Sequence, residues 1–155
     1  MSRRFLFTLC AVCVCSIGLL SARGAAPQKI AEIATVDDLV AEINSKVELL
    51  GQHLTTADAF AKAQEKKEIN QAAGVIACMA QAIVEHPEAS KANFKAADLR
   101  DAAVALRPAK SFDDAAKLFA AVNEAHAGKS AGTAKPEAEW NKLTGLGRMM
   151  EEINS

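Results

Sequence analysis

Apolar side chains recur at steps of three and four in stretch after stretch of this chain, and that spacing admits helices and little else. Val36, Leu39, Val40, Ile43, Val47, Leu50 and Leu54 form one such stripe, which is one face of a helix with 3.6 residues per turn. Thr35 stands at its start as a cap, with Asp37 and Asp38 in the first turn where the helix dipole favours acids. The stripe predicts a helix over about 36 to 53. Strands have no comparable signal, because aromatics are 5% of the 155 residues, tyrosine is absent and alanine dominates.

Three further helical stretches follow. A long one runs from the start signal at Thr55, Thr56 and Asp58 to His86, where Pro87 stops it. Its first half is polar apart from Phe60, and its second half carries Ile69, Ala72, Ala73, Ile76, Met79, Ala80, Ile83 and Val84, with Val75 and Cys78 widening the face. That breadth predicts a central position, and the change of character leaves room for a break between the halves. The next helix is expected to start near Glu88 to Ser90 and to end before Pro108, with Phe94, Leu99, Ala102, Ala103 and Leu106 inward. Ser111 with Asp114 then opens a helix whose stripe is Phe112, Ala115, Phe119, Val122 and His126.

These stretches predict an all-α chain, an antiparallel four-helix bundle over residues 35–127. The small, polar stretch GKSAGTAK, 128–135, reads as a linker. Pro136 suits the first turn of a short additional C-terminal helix over 136–155, with Trp140, Leu143, Leu146, Met150 and Ile153 on one side. That face is expected either to dock on the bundle or to meet a redox or envelope partner through Trp140, Leu143 and Met150.

The first residues read as an export signal rather than as part of the domain. Arg3 and Arg4 precede the uncharged apolar run Phe5 to Leu20, and Ala22-Arg23-Gly24 supplies small residues for cleavage after Gly24. This gives a signal peptide over 1–24 and a tail over 25–34. The run is shorter than the roughly 20 residues a spanning helix needs, so no transmembrane segment is expected after cleavage, and a periplasmic or secreted location follows. Cys10, Cys13 and Cys15 would leave with the signal, so Cys78 alone would remain. Losing Arg3, Arg4 and Arg23 leaves fifteen basic residues against nineteen acidic ones. A net charge of −4 argues against nucleic acid or anionic lipid as partner.

Little in the sequence reads as catalytic. Histidines at 53, 86 and 126 share no i, i+4 face that would pair them on a metal. His86 beside Glu85 and Glu88 reads chiefly as a solvated helix end, and Asp98 with Asp101 as a solvated face. No nucleophile with a base and an orienting group can be assembled from spacing, so an enzyme is not expected. His126 is the functional lead. It closes an apolar stripe, a position that the spacing alone reads first as a last-turn histidine satisfied by the helix dipole, with Gly128 as the stop, and that also suits an axial haem ligand in an apolar pocket.

The stretch KSFDDAAKLFAAVNEAHAG, 110–128, resembles the last helix of the cytochrome c prime class of exported four-helix bundles. In that class a CxxCH motif attaches haem and its histidine binds iron. The matching positions here are Val122, Asn123, Glu124, Ala125 and His126. Both cysteines are absent, so the resemblance implies noncovalent haem on His126, as in the related b-type bundles, for electron transfer or gas binding. Val122, Phe119 and Phe112 would wall the pocket. The first helix lacks the methionine that supplies a sixth ligand in such bundles, so the iron would be five-coordinate or would take Met79. The chain resembles equally the small exported alanine-rich helical proteins that carry no haem motif. That resemblance implies a haem-free envelope protein acting as a non-enzymatic binding or assembly module. A homodimer paired through an apolar helix face is a further expectation of the class.

Overall fold

The computed structural model of the protein describes residues 29–143. The expected signal peptide and its cleavage point, Cys10, Cys13 and Cys15, and the positions Leu146, Met150 and Ile153 lie outside the described residues. Those described are helical and connecting segments, with no strand among them. The helices are α1 (Ile30–Ile33), α2 (Val36–His53), α3 (Ala57–Glu65), α4 (Glu68–Glu85), α5 (Ala96–Leu106), α6 (Phe112–His126) and α7 (Trp140–Leu143), with a 3₁₀ turn at Ala89–Lys91 between α4 and α5. No helix among them is long and apolar enough to cross a membrane.

The start of α2 follows from its cap. The Thr35 hydroxyl oxygen accepts from the Asp38 N–H at 3.2 Å, and the Asp38 carboxylate accepts from the Thr35 N–H at 3.2 Å and from its hydroxyl at 2.7 Å. Two backbone donors that the helix leaves orphaned are thereby satisfied. Val36, Leu39, Ile43 and Leu50 are buried, and Val40, Val47 and Leu54 flank them half-buried.

The long segment from Thr55 is two helices. Thr56 caps α3 by accepting from the Ala59 N–H, and the chain turns at Lys67, whose φ of 62° is left-handed. That conformation cannot continue a right-handed helix, so α4 starts anew at Glu68. Two amide side chains next to the junction tie it to the α5–α6 connection: Gln64 Nε2 donates to the Ala109 carbonyl at 2.5 Å and Asn70 Nδ2 to the Arg107 carbonyl at 3.2 Å.

As its breadth predicts, α4 is the central helix, packed along α2 on one side and α5 on the other. Its buried positions include Ala72, Ala73, Ala77 and Ala80 between Ile69, Ile76 and Ile83. Such small side chains let helix axes approach closely.

In α6 the fully buried residues are Ala115, Val122 and Ala125, and α5 is its main neighbour. Phe112, Phe119 and His126, one turn pair apart, look instead toward α3 and α2. The Phe112 ring meets Phe60 edge-on at 6.2 Å between centroids. Phe119 lies over Gly51, where an added Cβ would sit 3.8 Å from its ring. A Schellman closure ends the helix: the Gly128 N–H donates to the Ala125 carbonyl at 3.0 Å and the Lys129 N–H to Glu124 at 2.9 Å.

Two helix starts differ from the sequence reading. α5 begins at Ala96, not near Glu88 to Ser90, because residues 86–95 are used to cross from α4 through the 3₁₀ turn and to bury Phe94. The last described helix begins at Trp140, not at Pro136. The main chain before it is bound by side chains of α4 and α5, and a local helix would withdraw the carbonyls those side chains bind.

Candidate functional site

His126 stands at the rim of the molecule rather than in its core. The preceding residue, Ala125, is buried, and His126 is half-buried beside it. Its Nε2 lies 2.7 Å from Oδ1 of the exposed Asn44 on α2, and its ring is 5.8 Å from that of Phe94, tilted at 45°. Burial of the imidazole pushes its pKa below the usual histidine range, so the neutral form is favoured at neutral pH.

The expected haem walls are distributed unevenly around this ring. Val122 is fully buried one turn back and Phe119 half-buried over Gly51, both on α6. Met79 is half-buried on α4, a helix whose main neighbours are α2 and α5. An iron ligand needs a free imidazole nitrogen facing room for the macrocycle. Here Nε2 is engaged by Asn44 and the ring lies beside Phe94. Iron on Nε2 would require Asn44 to be displaced.

The other histidines serve the helix ends. His53 Nε2 lies 3.3 Å from Glu68 Oε2, joining the end of α2 to the start of α4. His86, expected at a solvated end, is buried instead: the turn folds back over it, and its Nδ1 accepts from the Glu88 N–H at 3.1 Å. Glu88 pairs with Lys91 at 2.8 Å while Glu85 is used elsewhere. Among the described residues no three histidine, cysteine or acidic side chains gather as a metal would require.

The densest polar constellation lies on α4 and α5, where sequence reasoning placed only core and solvated faces. Arg100 is 3% exposed and Gln81 is 1% exposed. The Arg100 guanidinium donates to Gln81 Oε1 at 2.7 Å, to the Lys135 carbonyl at 2.7 Å and to the Pro136 carbonyl at 3.1 Å, with Asp101 at 2.6 Å as its counter-ion. Gln81 Nε2 donates to Glu85 Oε1 at 2.7 Å, and the same carboxylate oxygen accepts from the Trp140 indole at 3.0 Å. Every strong group of this pair is thus satisfied, as burial demands.

Asp98 and Arg107 extend the row to both sides. The Asp98 carboxylate, expected to face solvent, accepts from the Gly132 N–H at 2.6 Å and the Ala134 N–H at 3.0 Å. The adjacent Ser130 hydroxyl, together with those two N–H groups and the Lys95 ammonium, holds its pKa below the usual carboxylate range against the opposing effect of burial. Lys95 donates to the Ala131 carbonyl at 3.3 Å. At the other end Arg107 donates to the carbonyls of Lys142 and Leu143.

Residues 130–143 therefore lie as a strap across α4 and α5, held chiefly through their main chain. Leu143 is 4% exposed, so of the expected partner face it is turned inward, whereas Trp140 is 42% exposed. One sequence signal pointed to this site: Gln81 and Arg100 are polar residues on otherwise apolar faces, at helical spacing from Ala77 and Ala103. No protein-family model, curated protein or solved structure matches the chain.

Proposed function

We propose that this chain is a haem-free, non-enzymatic binding module of the cell envelope, built as an antiparallel four-helix bundle of α2, α4, α5 and α6. What carries the reading is the Arg100–Gln81 pair: Arg100 donates to the main-chain carbonyls of Lys135 and Pro136 at 2.7 and 3.1 Å, and Gln81 Nε2 donates to the same Pro136 carbonyl at 3.4 Å. Groups so placed recognise polypeptide main chain, and the two carboxylates beside them, Asp101 and Glu85, are engaged by Arg100, Gln81 and Trp140.

The resemblance to the cytochrome c prime class offers electron transfer or gas binding instead, through haem on His126. A haemin titration decides between them, followed at the Soret band with the wild-type chain and His126→Ala side by side. The module reading expects no saturable shift in either protein. A saturable shift in the wild type that is lost in the variant would overturn it.

A further inference from the structure

The strap is recognised in the way a bound peptide is recognised. From Ala131 to Leu143 the α4–α5 face contacts, in order, a carbonyl, two N–H groups, two adjacent carbonyls, an indole N–H and two final carbonyls. Main-chain hydrogen bonds give affinity that a chain of the same backbone course can match, with glycine at the position of Gly132, whose φ is +74°, while selected side chains supply specificity. Here the selective positions are Pro136, the aromatic Trp140 four residues later and Leu143 seven residues later.

Two features separate the strap from the helices beneath it. α6 is closed by its own Schellman bonds at Gly128 and Lys129, so the chain from residue 130 onward can lift without unwinding α6. Open clefts also border the strap: one of about 450 Å³ between Val104, Glu139 and Lys142, and one of about 370 Å³ between Val84 and Glu137. Core side chains leave no such space.

We propose that the α4–α5 face is a peptide-binding groove that residues 130–143 occupy in cis. A peptide of a partner protein that follows the same backbone course displaces them, carrying a glycine four residues before a proline and, four residues after it, an aromatic N–H donor. The proposal rests on the binding-module reading, and it names the site and the partner's chemistry. Once the strap lifts, Arg100 and Gln81 lose the carbonyls of Lys135 and Pro136, and a buried cation left with fewer partners favours any chain that restores them.

The test uses the full-length chain and a fluorescein-labelled synthetic peptide of residues 129–143, read by fluorescence anisotropy. Trp140→Phe in the chain removes the indole bond to Glu85 and so weakens the strap while leaving the groove intact. The labelled peptide is expected to bind this variant saturably and at least about ten-fold more tightly than the wild type, whose own strap competes at the high effective concentration of a tethered segment. Adding Arg100→Met to Trp140→Phe is expected to abolish binding with the far-ultraviolet dichroism unchanged. Absence of saturable binding to the folded Trp140→Phe chain, or binding indifferent to Arg100, would overturn the proposal.

Hydrogen exchange on the wild-type chain gives a second reading that needs no variant. The Gly132 and Ala134 amides, bonded to Asp98, are expected to exchange at least about a hundred-fold faster than those of Ile76 and Ala77, through a local opening. Exchange at the rate of the α4 amides would mean that the strap opens only when the whole domain does, and the proposal would fall. The haemin result bears on the module reading alone, so the two failures are told apart.

Discussion

His126 Nε2 and Asn44 Oδ1 meet at 2.7 Å across 82 residues of sequence, joining the last turn of α6 to the middle of α2. Few contacts link these two helices, so one surface hydrogen bond carries a large share of their polar contact. Asn44→Ala and His126→Ala are each expected to lower stability by about 0.5–1.5 kcal/mol, the net worth of such a bond. In a double-mutant cycle by urea denaturation the two losses should fail to add. Additive losses would show that the bond contributes nothing to stability.

The same imidazole sets a pH dependence. Its pKa is lowered by burial, so the unfolded chain takes up a proton at a higher pH than the folded one does. Stability is therefore full above the ordinary histidine pKa of about 6.5 and falls as pH drops through the lower folded value. Urea midpoints measured between pH 7 and pH 5 should decline, and His126→Ala should flatten that decline. A separate loss follows in acid, where the lowered carboxyls of Asp38 and Asp98 contribute stability above about pH 3.9 that disappears as they protonate.

Gly128 has a φ of +72°, and a Cβ there would lie 2.8 Å from the Asn93 carbonyl oxygen. Gly128→Ala combines left-handed strain, about 1–2 kcal/mol for an L-residue, with a collision against backbone that cannot swing aside. A fall in the thermal midpoint is expected, together with faster exchange of the Lys129 amide. An unchanged midpoint would mean that the Schellman closure is not required to end α6.

Lys67 presents the opposite case, a side chain where glycine is preferred. Its φ of 62° costs about 1 kcal/mol or more relative to glycine. Lys67→Gly is thus expected to raise the urea midpoint, offset in part by the greater freedom of glycine in the unfolded chain.

What was legible in the sequence was what local chemistry determines. The Thr35 cap with its stripe gives α2 as Val36–His53, and the Ser111 signal gives α6 as Phe112–His126. Breadth of the apolar face places α4 at the centre. The missed features depend on distant partners. Ala92 to Lys95 could belong to a helix by propensity, and it is the burial of Phe94 that delays α5 to Ala96. Likewise GTAKP looks like a free linker until Asp98 and Arg100, more than thirty residues earlier, are seen to bind its main chain. Local pattern marks Gln81 and Arg100 as polar residues on apolar faces, but the main-chain groups that they and Asp98 bind lie too far along the chain for it to register.

The alanines of α4 are the last case. Ala73, Ala77 and Ala80 are fully buried where α4 lies between its neighbours. Ala77→Leu inserts three carbons into filled space and is expected to cost about 1–3 kcal/mol, seen as a lower urea midpoint. A neutral result would reveal slack between α4 and its neighbours.

Tolerance to substitution in this protein is consequently expected to be lopsided. Isoleucines at the same interface can exchange with valine or leucine, since an apolar neighbour can shift to recover part of the loss. At Ala73, Ala77 and Ala80 the only residue smaller than the present one is glycine, which loosens the helix itself, and every larger one meets a neighbouring helix. The spacing between helices is thus expected to rest on three methyl groups with little room to vary in either direction, while the polar outer surface is expected to tolerate change.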